Sequence, residues 1–115
     1  MSREKGGAAE RKAADYLASQ GFEILARNYT IRGGEVDVVA REGDFIVFVE
    51  VKYRKSPRFS LPRESVTRAK QKRVAQTAMR WLQEKGLSEA NIRFDIVEVL
   101  GDSVTLLRGA FDAAV

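Results

Sequence analysis

Phe45-Ile46-Val47-Phe48-Val49-Glu50-Val51-Lys52-Tyr53 is the most hydrophobic stretch of this 115-residue chain, and two charged side chains stand inside it. A run so rich in Val, Ile and Phe predicts a strand buried on both faces, where an ionised carboxylate needs a partner or a metal. Side chains alternate along a strand, so Glu50 and Lys52 share one face while Val49, Val51 and Tyr53 take the other. Upstream, Gly34-Glu35-Val36-Asp37-Val38-Val39-Ala40 predicts a second strand, with Glu35 and Asp37 on one face and Val36, Val38 and Ala40 opposite. The charged link Arg41-Glu42-Gly43-Asp44 puts Gly where a turn needs it, so the two strands are expected to form an antiparallel hairpin. If the polar faces coincide, Asp37, Glu50 and Lys52 converge. Two acids and a lysine so placed can hold a hard divalent cation and a water beside a phosphate. The plain alternative is that Glu50 and Lys52 pair with each other or with neighbours and only keep the sheet in register. Burial on both faces and two further carboxylates next door weigh toward chemistry.

Outward from the hairpin, the periodicity predicts a helix from Ser2 or Glu4 to Gln20, stopped at Gly21, with Ala9, Ala13, Tyr16 and Leu17 as its apolar stripe. Glu10 borders that buried face. Phe22 to Tyr29 predicts the first strand, and Thr30-Ile31-Arg32-Gly33-Gly34 a flexible loop. After the hairpin, Ser56 to Ser65 carries Pro57 and Pro62 among basic residues and is expected to be a surface loop. Thr67 is a suitable N-cap for a second helix, Arg68 to Lys85, with Val74, Ala75, Ala78, Trp81 and Leu82 inward and Gly86 as its stop. Arg68 and Lys72 fall on one polar edge of that helix, Arg73 and Arg80 on another. Ile92 to Val99 and Val104 to Leu107 predict two strands joined by the tight turn Leu100-Gly101-Asp102-Ser103, with Asp95 a structural ion-pair partner. The order is α-β-β-β-α-β-β, an α/β chain with one mixed sheet flanked by helices. Residues 1–115 are expected to make one domain.

Composition narrows the chemistry. With no Cys and no His, thiolate zinc sites and Ser-His or Cys-His catalysis are excluded, leaving carboxylates, lysines and metal-bound water for acid-base work. The longest apolar run, Phe45 to Val49, is far too short to span a bilayer, and the N-terminal stretch lacks a signal-peptide core, so a cytoplasmic protein without a membrane partner is expected. Between Lys52 and Arg73 stand nine basic residues (Lys52, Arg54, Lys55, Arg58, Arg63, Arg68, Lys70, Lys72, Arg73) and one acid, Glu64, on a chain whose net charge is only +4. Such segregation is the footprint of a phosphate-backbone binder.

The longer strings carry a resemblance. Asp37 followed by Glu50-Val51-Lys52 resembles the Asp…(Asp/Glu)-x-Lys signature of the restriction-endonuclease-like nucleases. Gly7-Ala8-Ala9-Glu10, Gly21-Phe22, Arg27-Asn28-Tyr29, Gly34-Glu35-Val36-Asp37, Phe48-Val49-Glu50-Val51-Lys52-Tyr53-Arg54 and Arg93-Phe94-Asp95 resemble the bacterial YraN-type family of predicted endonucleases, which is similar to archaeal Holliday junction resolvases. The match spans nearly the whole chain; Ser60 stands where that family usually has Gly. The resemblance implies a restriction-endonuclease-like fold and a metal-dependent endonuclease cutting DNA, with structure-specific cleavage of branched or junction DNA and cleavage of linear DNA both open. It implies Asp37, Glu50, Lys52 and Glu10 as catalytic residues, with Asp37, Glu50 and Glu10 around Mg²⁺ or Mn²⁺. Glu35, a candidate additional acid, Asn28 and Arg32 are matched only within the narrower family. Arg54, Lys55, Arg58, Arg63, Arg68, Lys72 and Arg73, with Arg32 and Asn28, are the expected nucleic-acid contacts. A non-catalytic nucleic-acid-binding module that retains the nuclease fold is the competing class, a partner-binding protein with a structural acidic spot is a third, and RNA substrates and a homodimer stay open.

The basic segment generates a first test. If about four to six of its cations touch phosphates, log affinity for duplex DNA falls against log salt with a slope of roughly −4 to −5. Arg68→Glu with Lys72→Glu should weaken binding to all sequences alike in a fluorescence-anisotropy titration; salt-independent binding would favour a protein partner instead.

Overall fold

The computed structural model describes residues 2–55 and 66–112, and the side chains of residues 7–55 and 66–112. The elements run α1 (Ser2–Ser19), β1 (Glu23–Ile31), β2 (Gly34–Glu42), β3 (Phe45–Arg54), α2 (Arg68–Glu84), β4 (Asn91–Leu100) and β5 (Ser103–Phe111). The five strands lie in chain order in one sheet. All neighbours are antiparallel except β3 and β4, which run parallel and are joined through α2. This is the mixed sheet and element order of the restriction-endonuclease-like fold expected from the sequence.

Each helix covers one face because its apolar stripe has nowhere else to go. On one side, Ala9, Ala13 and Leu17 of α1 pack on Val38, Ala40, Val47 and Val49. On the other, Val74, Ala75, Ala78, Trp81 and Leu82 of α2 pack on Ile46, Phe48 and Phe94. Phe48 is fully buried, with the Trp81 ring edge-on at 5.9 Å and Phe94 at 5.7 Å. Thr67 caps α2 as expected: its hydroxyl accepts the Lys70 backbone N–H at 3.2 Å. Asp95 is the structural acid anticipated, accepting from Arg93 Nε and from the Gly109 N–H, each at 2.9 Å.

Three expectations are corrected. Thr30 to Gly34 is no loop: β1 continues to Ile31, which pairs with Gly34, and Arg32-Gly33 alone make the turn. Gly33 at φ 92 closes the chain in two residues, so the ladder runs on where the glycines suggested a break. Strict alternation also fails at Asp37. Val36 lies in the α2-side cluster and Val38 in the α1-side cluster, although they are two residues apart. Opposite the break stands Asn28, the one described non-glycine residue at positive φ (54), so the kink involves both strands. Finally, β5 extends well past Leu107 because Phe111 stacks on Phe94 at 5.1 Å. The expected surface loop with Arg58, Ser60 and Arg63 lies outside the described residues.

α2 sits on the β1–β2 hairpin at Gly34. A Cβ there would overlap Thr77 Oγ1 and lie 3.1 Å from the Arg73 carbonyl oxygen. Thr77 cannot swing away freely, since its hydroxyl donates to that carbonyl at 2.7 Å. Gly34→Ala should therefore destabilise by about 1–3 kcal/mol. Adding Thr77→Ala should restore part of the loss; chemical denaturation checks both, and equal stability of Gly34→Ala and wild type would remove the close approach as a constraint.

Candidate active site

The β2–β3 ladder pairs Glu42 with Phe45 and continues to Val38 opposite Val49, where it stops. The next residues in that register are Asp37 and Glu50. Beyond the last pair, the Val51 N–H donates to Asp37 Oδ2 at 2.8 Å, so a side chain takes the donor that a ladder carbonyl would otherwise satisfy. The two carboxylates are thereby held side by side at the mouth of a splayed hairpin, 7% and 6% exposed.

Like charges in a dry place cannot both ionise cheaply. Burial first, then the charge and hydrogen bond of Glu50, push the Asp37 carboxyl up to about 8, against the lowering effect of the Val51 N–H. The pair thus holds a proton near neutral pH when no cation is present. Lys52, half-buried on the same strand, is pushed below the ordinary lysine range chiefly by burial, although Glu50 and Asp37 oppose that. Glu10 approaches from α1: burial raises its pKa, the Asn28 side chain hydrogen-bonds it and acts the other way, and Glu35 and Glu50 add repulsion. The kinked Asn28 is therefore what ties Glu10 to this end of the sheet.

Lys70 is the member the sequence reading missed as a site residue. Its Nζ lies 3.2 Å from Glu50 Oε1. Burial disfavours its charge, but Glu50 outweighs that and holds the ammonium above its usual range. A signal existed: Lys70 is one turn before Val74, hence on the inner side of α2 rather than the solvated edge. Between α2 and the β1–β2 hairpin opens a cleft of about 390 Å³, with Glu50 and Lys70 at one end and Arg73, Glu35, Thr30 and Gly34 along it.

The other expected residues fall differently. Lys55, Arg68, Lys72, Arg73, Arg32 and Asn28 are exposed. Arg54 is not on that surface: it is 8% exposed, with its Nε 2.9 Å from Glu98 Oε2 in an ion pair that lacks directed hydrogen-bond geometry. The parallel pairing of β3 with β4 sets Lys52 opposite Glu98, and Arg54 reaches back to it. Among the described residues no three acids converge into a closed metal cage. Two adjacent carboxylates, of which Glu50 lines the cleft, still fit a hard cation that keeps most of its waters and takes its remaining ligands from substrate oxygens. No described helix is long and apolar enough to cross a membrane.

The family model for "Uncharacterised protein family UPF0102" matches residues 9–99, a span that includes Glu10, Asp37, Glu50, Lys52 and Lys70. The chain is 46% identical over 110 residues to a UPF0102 protein of Lachnoclostridium phytofermentans, covering 95% of this chain and 93% of that one. A UPF0102 protein of Symbiobacterium thermophilum is 46% identical over 99 residues, 86% and 84% of the two chains. One from Syntrophus aciditrophicus is 43% identical over 113 residues, 95% and 89%.

The carboxylate pair predicts a pH dependence. In the folded, metal-free protein Asp37 keeps its proton up to about pH 8, whereas in the unfolded chain an aspartate loses it near about pH 4. Between those values the folded state binds more protons, so this group's contribution to stability falls as pH rises and is lost by the upper value. Asp37→Asn can still accept from Val51 and donate to Glu50, without the charge. In EDTA its melting temperature should match wild type at or below about pH 4 and exceed it progressively as pH rises, by several degrees above about pH 8. A variant less stable than wild type at the higher pH would show that the ionised Asp37 is a paired structural acid instead.

Proposed function

From the premise that the chain belongs to the UPF0102 family, whose description assigns no activity, we propose that it is a metal-dependent endonuclease acting on DNA, with branched or junction DNA and linear DNA as the two substrate classes to be compared. The observation that carries this reading is the buried, mutually repelling pair Asp37 and Glu50, the second of which lines a cleft, with Lys52 and Lys70 beside Glu50. A pair whose environment raises one carboxyl so far is costly to the apo fold and is relieved by a cation.

In this reading Asp37 and Glu50 would hold Mg²⁺ or Mn²⁺, and Glu10, on α1 and not converged with them into a three-acid cage, would act from farther out by its charge. When bound, the cation supplies acidified water near neutral pH and neutralises charge on a phosphodiester, which suits a chain without histidine. Lys52, on the strand face it shares with Glu50, stabilises charge developing on the phosphorus oxygens or orients the attacking water. Its half-buried ammonium makes that interaction stronger than it would be in water. The exposed Lys55, Arg68, Lys72, Arg73 and Arg32, with Asn28, hold backbone phosphates; such contacts position a duplex without reading its sequence. Arg58 and Arg63 belong to the same basic stretch. Arg54 has no part in that surface, since it is buried against Glu98.

Nicking of branched and linear DNA in Mn²⁺, Mg²⁺ or EDTA tests the proposal. Wild type should cut only with the cation. Asp37→Ala, Glu50→Ala and Lys52→Ala should each slow cleavage by at least about a hundredfold, since each removes charge stabilisation of several kcal/mol. Their DNA affinity should stay near wild type. Variants that cut at the wild-type rate, or wild-type cleavage that persists in EDTA, would remove this site from the chemistry.

A further inference from the structure

Glu50 Oε1 is already taken. Its partner is Lys70 Nζ at 3.2 Å, on the first turn of α2, where the Thr67 cap and the seating of the helix on Gly34 fix the backbone that carries it. Lys70 is 37% exposed at its side chain and lines the cleft, whereas Glu50 is 6% exposed. The lysine thus lines the cleft beside Glu50, within reach of both the carboxylate and the open space. Its ammonium compensates a buried carboxylate that would otherwise face Asp37 with no positive neighbour but Lys52.

A divalent cation that takes carboxylate oxygens at about 2.0–2.6 Å and an ammonium on Oε1 compete for the charge of one carboxylate and repel each other at that range. A lysine on a flexible four-carbon stem can leave without disturbing its helix. The space it turns into carries Arg73 as well as Glu35, so an anion there would have Arg73 and the released ammonium as its cationic partners. We propose that Lys70 is a positioning residue that neutralises Glu50 in the metal-free protein and exchanges with the divalent cation, which frees its ammonium for a backbone phosphate in the cleft. The exchange on Glu50 stands on the geometry alone; the phosphate step rests on the endonuclease reading above. The consequence is ordered assembly: cation and nucleic acid each favour the arrangement the other needs.

Two measurements test it with Lys70→Gln, a substitution on a part-exposed helix position, and Arg73→Gln as a control that removes a cleft cation not bonded to Glu50. First, Mn²⁺ affinity without DNA, by calorimetry or by electron paramagnetic resonance of free Mn²⁺, should tighten by about five- to tenfold in Lys70→Gln, because an ion pair and a like charge are both removed. Arg73→Gln should stay within about twofold of wild type, since exposed charges at longer range are screened. Equal tightening in both variants would reduce the effect to bulk charge and overturn the exchange, as would unchanged, weaker or absent Mn²⁺ binding in Lys70→Gln. Second, the salt slopes of duplex binding for wild type and Lys70→Gln should coincide in EDTA and differ by about one in Ca²⁺, the signature of one added phosphate contact. A difference already present in EDTA would mean the lysine is never held by Glu50. No difference in Ca²⁺ would overturn the phosphate step. Wild type that binds no DNA sinks the endonuclease reading and the phosphate step together, while the Mn²⁺ titration still decides the exchange.

Discussion

The bond from the Val51 N–H to Asp37 Oδ2 marks the place where the central hairpin stops being a ladder. Up to Val38 and Val49 the two strands exchange backbone bonds; one residue further a carboxylate does that work, and the strands part. Everything about the centre depends on this. The parting makes room for a second carboxylate, Glu50, beside the first. It also accompanies the reversal that sends Val36 to the α2 side while Val38 faces α1, with Asn28 in a left-handed conformation across from it. That left-handed residue in turn offers its side chain to Glu10, so a break in one ladder brings together groups from α1, β1, β2 and β3.

Two buried aspartates in the same sheet show how environment separates a structural acid from a candidate catalytic one. Asp95 is completely inaccessible, yet it faces both guanidinium arms of Arg93 at 2.9 Å and the Gly109 N–H. Arg93 also reaches Glu42, at 2.6 Å, and lies over the Phe22 and Phe45 rings. Glu42 gains Arg108 as well, and these guanidiniums hold its carboxyl down at about 2. Every charge in that network is answered, which is what a buried ionic group needs if it is to persist. Asp37 has one backbone N–H and a neighbour of its own sign. Its pair is compensated only by Lys70 on Glu50 and by the half-buried Lys52, so it leaves more for a cation to gain than the Asp95 network does.

α2 has two duties that conflict unless glycine stands at position 34. As the crossover between parallel strands it must cover the α2-side core, with Trp81 on Phe48. As the wall of the cleft it must also come close enough to the β1–β2 hairpin for Lys70 to touch Glu50. The contact of Thr77 and the Arg73 carbonyl with Gly34 sets that approach, so the packing of the hydrophobic face and the electrostatics of the acid pair share one distance.

The element order, both helix ends of α2, the β2–β3 hairpin and the structural part of Asp95 were legible in the residues themselves, because strand and helix periods and capping chemistry act over a few neighbouring positions. So were the two acids and the lysine of the centre: Glu50 and Lys52 are conspicuous as charges in an apolar run, and Asp37 lies in the strand that must pair with it. The sequence did not decide which partner each charge would find. Lys70 and Arg54 belong to the same basic stretch, yet one reaches Glu50 from α2 and the other is buried against Glu98. Those outcomes follow from the parallel register of β3 with β4 and from the docking of α2 on Gly34, both of which join residues far apart in the chain. The reversal of faces at Asp37 is of the same kind. Alternation is a rule for an unbroken strand, and whether a strand stays unbroken depends on what its neighbours offer in place of the next backbone bond.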